Sequence, residues 1–97
     1  MERRDQEVTV KLFASVKDAF GLGEMRVPLE EGHDVGRLLE SICTSPQRVH
    51  SVYDENRTLR QDVTVLVNGR SIVFLDRLRT ALKEGDTVSV FPPVYGG

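Results

Sequence analysis

The chain is short of several things that function often requires. It has one cysteine, Cys43, so an internal disulfide is excluded and a cysteine-based zinc site has no ligand set. It has two histidines, His33 and His50, too far apart in sequence to read as a metal-binding pair. Basic residues do not exceed acidic ones: 13 stand against 15, for a net charge of −2. That balance argues against a general nucleic-acid binder, which needs a basic field to hold phosphates. No apolar run approaches the ~18 residues of a membrane span, and no signal-peptide core follows Arg3-Arg4. No phosphate-binding G-x-x-x-x-G-K-[ST] loop is present, and no nucleophile stands beside a base. What is left is 97 residues with 39% apolar content: one small domain, expected in the cytoplasm, with a modest core and little room for an enclosed active site.

The patterning is clearer than the composition. Residues 1–7 are charged and aperiodic and read as a leader. From residue 8 to 13 the chain alternates, with Val8, Val10 and Leu12 on one face, as a half-buried strand does. Residues 15–20 are too short for a helix reading, and Gly21 and Gly23 close them as a turn. Met25, Val27 and Leu29 alternate in a second strand, which Glu30-Glu31-Gly32 ends. Val35, Leu38, Leu39 and Ile42 then form one helical stripe behind a candidate N-cap, Asp34. Thr44-Ser45-Pro46 ends that helix. Residues 47–61 are polar: Val49, Val52 and Tyr53 are compatible with a helical turn, and Asp54-Glu55-Asn56 with a loop.

A third strand, residues 63–67, is dense in β-branched side chains. It runs into Asn68-Gly69, a strong two-residue hairpin signal, with residues 71–74 as the return strand. Residues 75–82 show little regularity. Glu84-Gly85-Asp86 is a turn before the last strand, residues 87–91. Two strand pairs flank one helix, and a right-handed crossover places the first and last strands side by side and parallel. The expected fold is α+β: a β-grasp, or ubiquitin-like, domain over residues 8–91, with a mixed four- to five-stranded sheet and one main helix on one face.

The tail, residues 92–97, is unusual. Pro92-Pro93 cannot donate to a ladder and favours a stiff, extended exit. Val94, Tyr95, Gly96 and Gly97 follow. Gly96 and Gly97 carry no Cβ, so the end is slim enough for a narrow tunnel in a partner, with Val94 and Tyr95 leading it in. What it delivers is a carboxylate. That group can attack the α-phosphate of ATP to give an acyl-adenylate, which a sulfur nucleophile or an amine then opens. This chain has no machinery for that chemistry, so a partner must supply it. A frayed terminus is the plainer alternative.

Four segments carry a resemblance: Phe13-Ala14-Ser15-Val16-Lys17 with Gly21; Val67-Asn68-Gly69; Leu82-Lys83-Glu84-Gly85-Asp86-Thr87-Val88; and Phe91-Pro92-Pro93-Val94-Tyr95-Gly96-Gly97. Together they resemble the MoaD/ThiS sulfur-carrier family. The ending is most similar to the molybdopterin synthase small subunit, and the length to archaeal ubiquitin-like modifiers. Tyr95 stands where the family often has a small residue. The resemblance implies that a ubiquitin-activating-type enzyme, using ATP, adenylates Gly97, and that a sulfur donor enzyme then provides sulfur for a thiocarboxylate. Sulfur would pass to a pterin precursor in a molybdopterin synthase large subunit, or Gly97 would be joined to lysines of target proteins. It implies a carrier that is not itself an enzyme, and no cofactor, metal, nucleic acid or membrane partner. The rivals are an obligate synthase subunit and a binding-only ubiquitin-like module.

The remaining candidates concern docking. If the even-numbered residues of the first and last strands face the helix, Phe13 and Phe91 face away from it. With Leu66 nearby, and Pro92 and Pro93 at the exit, they form an expected partner-docking patch. The alternative is that residues 47–61 fold back over the rings. Cys43, next to the helical stripe, reads as small buried filler in preference to a sulfur-relay thiol. Glu30-Glu31 and Asp54-Glu55 read as solvated turn residues.

Overall fold

The computed structural model describes residues 6–30 and 33–92. Strand β1, Glu7–Leu12, buries Val8, Val10 and Leu12 and leaves the alternate residues toward the other face. Glu7, assigned above to the leader, is its first residue and pairs with Pro28. Strand β2, Glu24–Pro28, runs antiparallel to β1, with Val8 opposite Val27 and Val10 opposite Met25.

Between them the chain forms a helix where a turn was expected. Helix α1, Ala14–Phe20, buries Val16 and Phe20 and stops at Gly21, whose φ of 82° is the left-handed conformation that glycine adopts without a Cβ clash. Seven residues hold too few apolar positions to display a helical period, and such a segment is stabilised by what it packs on.

Helix α2, Val35–Ile42, is the expected amphipathic helix. The Asp34 side chain accepts a hydrogen bond from the Arg37 N–H at 2.8 Å, and Val35, Leu38, Leu39 and Ile42 are all buried. The expectation of a single main helix is corrected by α3, Pro46–Val52. Its N-cap is Ser45, which accepts from the Arg48 N–H at 3.3 Å, and Pro46 sits in its first turn. Pro46 is a stop for α2 and a start for α3. Proline suits a first helical position, where its missing N–H costs nothing.

Strand β3, Thr64–Val67, turns through Asn68 (φ 52°) and Gly69 (φ 84°) into β4, Arg70–Ser71. Both positive φ values fit the hairpin expected there. The return strand lasts only two residues, against the expected residues 71–74. Ile72 turns into the core and Ile72–Phe74 forms a 3₁₀ turn. A second 3₁₀ turn, Arg77–Arg79, precedes β5, Thr87–Phe91.

The sheet order is β2-β1-β5-β3-β4, with β1 and β5 parallel at the centre and the other neighbours antiparallel. This is the expected β-grasp arrangement. Leu38, Leu39 and Ile42 share one core with Val10, Leu12, Val65, Val88 and Val90. Among the described residues, no helix is long and apolar enough to cross a membrane.

Candidate functional site

The period-two pattern assigns each strand residue to a face. Since Val8, Val10, Leu12, Val65, Val67, Val88 and Val90 are buried on the helix side, Thr64, Leu66, Thr87, Ser89 and Phe91 lie on the other face. Register brings the aromatic ends together. Leu12 pairs with Val90, and the Phe13 N–H donates to the Val90 carbonyl at 3.3 Å. The Phe13 and Phe91 rings stack, with centroids 4.3 Å apart and planes 8° from parallel. Leu66, half-buried, lies opposite Ser89, and Thr64 lies opposite Phe91.

The stack stays open to solvent. Phe13 is 37% exposed and Phe91 is half-buried. The alternative cover, residues 47–61, belongs to the helical layer: α3 packs on α1, and Val52 is fully buried in the core. Phe13 is also held by its backbone. Its carbonyl accepts from the N–H groups of Val16 and Lys17, and Ala14 takes φ 50° to swing the chain from β1 into α1. A left-handed non-glycine residue costs of order 1–3 kcal/mol and persists only where its surroundings impose it.

Pro92, half-buried, follows Phe91 at the sheet exit. The other tail residues singled out above, Pro93, Val94, Tyr95, Gly96 and Gly97, lie outside the described residues, as do Glu31 and Gly32.

The remaining candidates take structural places. Burial pushes the Cys43 thiol up to about 11, with Arg48 pulling it partly back. A thiol held protonated is a poor nucleophile. Cys43 lines a shallow recess of ≈ 310 Å³ with Glu40, Val49, Tyr53 and Arg57. The Tyr53 hydroxyl is likewise raised to about 12, first by burial and then by Cys43 and Glu40. His33 Nδ1 accepts from the Glu30 N–H at 3.3 Å, a local turn contact. Asp54 accepts from the N–H groups of Asn56 and Thr58 and so organises its own loop.

Two features escaped the sequence. Val73 and Phe74 are 54% and 81% exposed; their apolar run after the hairpin reads as strand and hides this. Arg48 donates to the carbonyls of Ile42 and Phe20 and to Thr44 Oγ1, with its guanidinium 4.7 Å from the Phe20 ring centroid. No local pattern marks that role.

Set beside known proteins, residues 10–97 match the ThiS family. Small archaeal modifier protein 3 of Haloferax volcanii is 35% identical over 91 residues, covering 94% of this chain and 99% of that protein. The solution structure of small archaeal modifier protein 1 from Methanosarcina acetivorans superposes with a TM-score of 0.82 at 30% identity, covering 98% of this chain and all of the other. A putative molybdopterin converting factor, subunit 1, from Pyrococcus furiosus superposes at 0.69 with 35% identity, over 92% and 99% of the two chains.

Proposed function

The chain belongs to the ThiS family, and from that premise we propose that it is a ubiquitin-like sulfur carrier and protein modifier, activated at the Gly97 carboxylate by a partner enzyme in the cytoplasm. The observation that carries the reading is the solvent-open Phe13–Phe91 stack at the end of β5, the strand that leads directly into Pro92-Pro93-Val94-Tyr95-Gly96-Gly97. A partner gripping the two rings, Leu66 and the prolines holds the base of the tail. Val94 and Tyr95 then enter its tunnel, and Gly96 passes the narrowest part.

A carboxylate is a weak electrophile, because resonance and negative charge both resist attack. In the proposed sequence a Gly97 oxygen attacks the α-phosphorus of ATP held by the activating enzyme, and pyrophosphate leaves. The acyl-adenylate has AMP as a good leaving group. A persulfide from a sulfur donor enzyme displaces AMP, and a thiol then cleaves the sulfur–sulfur bond, leaving a thiocarboxylate. Where a target lysine amine displaces AMP instead, the product is an isopeptide. The chain supplies the reactive group, its reach and its docking face; ATP and the catalytic groups belong to the partner.

Similarity to a putative molybdopterin converting factor subunit supports a second reading, in which the thiocarboxylate donates sulfur inside a molybdopterin synthase large subunit. Intact-mass measurement of the native protein, with and without activating enzyme and sulfur source, tests the shared step. The expected result is replacement of one oxygen by sulfur at Gly97. An unchanged mass in both conditions, with no Gly-Gly remnant on lysines of other proteins, leaves a binding-only module. A stable complex with pterin-synthase activity selects the second reading.

A further inference from the structure

The largest exposed apolar group among the described residues is far in sequence from Phe13 and Phe91. Val73 and Phe74, 54% and 81% exposed, form a ledge in the 3₁₀ turn Ile72–Phe74, just past edge strand β4. Three arginines share this segment. Arg70 lies in β4, and Arg77 and Arg79 straddle half-buried Leu78 in the next 3₁₀ turn, which packs on the first. All three are exposed, and among the described residues their guanidinium groups make no ion pair and no hydrogen bond. Asp76 is the only acid between residues 70 and 79, so this decade carries net +2 in a chain of net −2.

The ledge is built rigidly. The Thr80 hydroxyl, in a 9% exposed residue, donates to the Arg77 carbonyl at 2.7 Å and accepts from the Asp76 N–H at 3.0 Å. The Leu82 N–H donates to the His33 carbonyl and the Val35 N–H to the Thr80 carbonyl, tying the segment to the start of α2. Arg77 is held at φ 53°, a conformation that a loose loop would relax. Leu78 packs against the backbone of α2, where a Cβ added to Gly36 would meet its carbonyl oxygen at 3.2 Å.

We infer that Val73, Phe74, Arg70, Arg77 and Arg79 form a second docking surface, for an acidic protein segment carrying an apolar anchor. An aromatic ring this exposed recovers its hydration cost only under a partner. Guanidinium groups that are unpaired among the described residues, in the same segment as an apolar anchor, suit carboxylates, which they bind in a planar, two-pronged fashion. Charge complementarity therefore selects an acidic occupant. The chain's overall acidity disfavours a polyanion as long as nucleic acid. The surface is independent of Gly97 chemistry, so a tail-deleted variant retains it.

The test is an NMR titration of the ¹⁵N-labelled full chain with a synthetic peptide of glutamates and aspartates around a central Leu-Phe pair. Its controls are the same peptide with lysines for acids, and an oligouridylate. Saturable shifts confined to residues 70–82 are expected, with affinity falling about tenfold between low and high salt. Phe74→Ser is expected to weaken binding roughly tenfold or more. The pair Arg77→Asn and Arg79→Gln is expected to remove the salt dependence; asparagine is chosen because it tolerates the left-handed backbone. Both variants should keep the parent spectrum elsewhere, since these side chains lie outside the core. Absence of saturable shifts overturns the inference. So do shifts centred on Phe13 and Phe91, equal or stronger binding of the lysine peptide or oligouridylate, or concentration-dependent broadening at residues 70–82 without peptide, which would signal self-association.

Discussion

Phe13, the residue that follows β1, and Phe91, the last residue of β5, lie face to face, 4.3 Å between ring centroids, at one end of the two parallel strands at the centre of the sheet. Neither ring contributes to the buried core, so their contact creates a surface more than it adds stability. Phe91→Asp is expected to weaken binding to the activating enzyme about 30-fold, the scale of an aromatic anchor worth ~2 kcal/mol. The folded spectrum should be retained. Unchanged affinity in a folded variant, measured by calorimetry, refutes the docking role.

Deleting Gly97, or adding one residue after it, is expected to abolish ATP–pyrophosphate exchange with the activating enzyme. Deletion shortens the reach by roughly 3 Å, and a misplacement of ~1 Å can already cost about 100-fold in rate. Gly96→Val should fail for a different reason, because its branched side chain meets the tunnel wall. All three should melt with the parent. Exchange at the parent rate without Gly97 would falsify the carrier reading.

Leu39 is fully buried on the sheet-facing stripe of α2. Leu39→Ala is expected to destabilise the domain by about 2–5 kcal/mol, the range for truncating a core leucine. The urea midpoint should fall with little change in slope. A change under 1 kcal/mol, on the order of an exposed substitution, would contradict the packing described.

Arg48 joins three helices: it lies in α3, its guanidinium covers Phe20 of α1, and it donates to the last carbonyls of α1 and α2. Lysine keeps the charge but has no planar fork to reach several acceptors at once. Arg48→Lys is therefore expected to lower stability by about 1–2 kcal/mol and Arg48→Ala by about 2–3. Equal stability of the arginine and lysine proteins would show that charge alone is sufficient.

Cys43 sets a pH dependence of definite sign. Its folded value of about 11 stands above the ordinary thiol range of ~8.5. The unfolded chain thus loses this proton first as pH rises. The thiol's contribution is whole below about pH 8.5 and is lost as pH climbs toward 11. Cys43→Ser should reduce the fall in stability across that window, leaving the part that the raised Tyr53 hydroxyl contributes from about pH 10 upward. At pH 8, alkylation of the folded protein is expected to be about 100-fold slower than in urea; equal rates would exclude a protonated, half-buried thiol.

The alternations at residues 8–12 and 87–90 and the stripe Val35, Leu38, Leu39, Ile42 are local signals, and each becomes the element it indicates. Asn68-Gly69 is another, because the hairpin it makes needs only the positive φ those two residues accept. The β-grasp order follows from these few elements. Helices α1 and α3 were harder to read, since each is seven residues long and is held by partners distant in sequence. Proline marks both the stop of one helix and the start of another, so Pro46 was ambiguous without α1 to pack on. The exposure of Phe74 is hidden for a related reason: Ile72, Val73 and Phe74 form an apolar run, and only the 3₁₀ turn that replaces the strand after Ser71 leaves Ile72 inward and Phe74 outward.

By itself, then, the sequence determined the strands, the central helix and the hairpin turn. These depend on neighbours within a few residues, where backbone geometry and side-chain period decide the outcome. Only the tertiary structure decided that Phe13 would stack on Phe91, that Arg48 would reach the Phe20 carbonyl at the end of α1, and that Asn68 would hydrogen-bond the buried Asp86 at 2.9 Å. Each of those pairings closes a long loop. Its entropic cost is met by the core as a whole, so no local pattern of residues announces it.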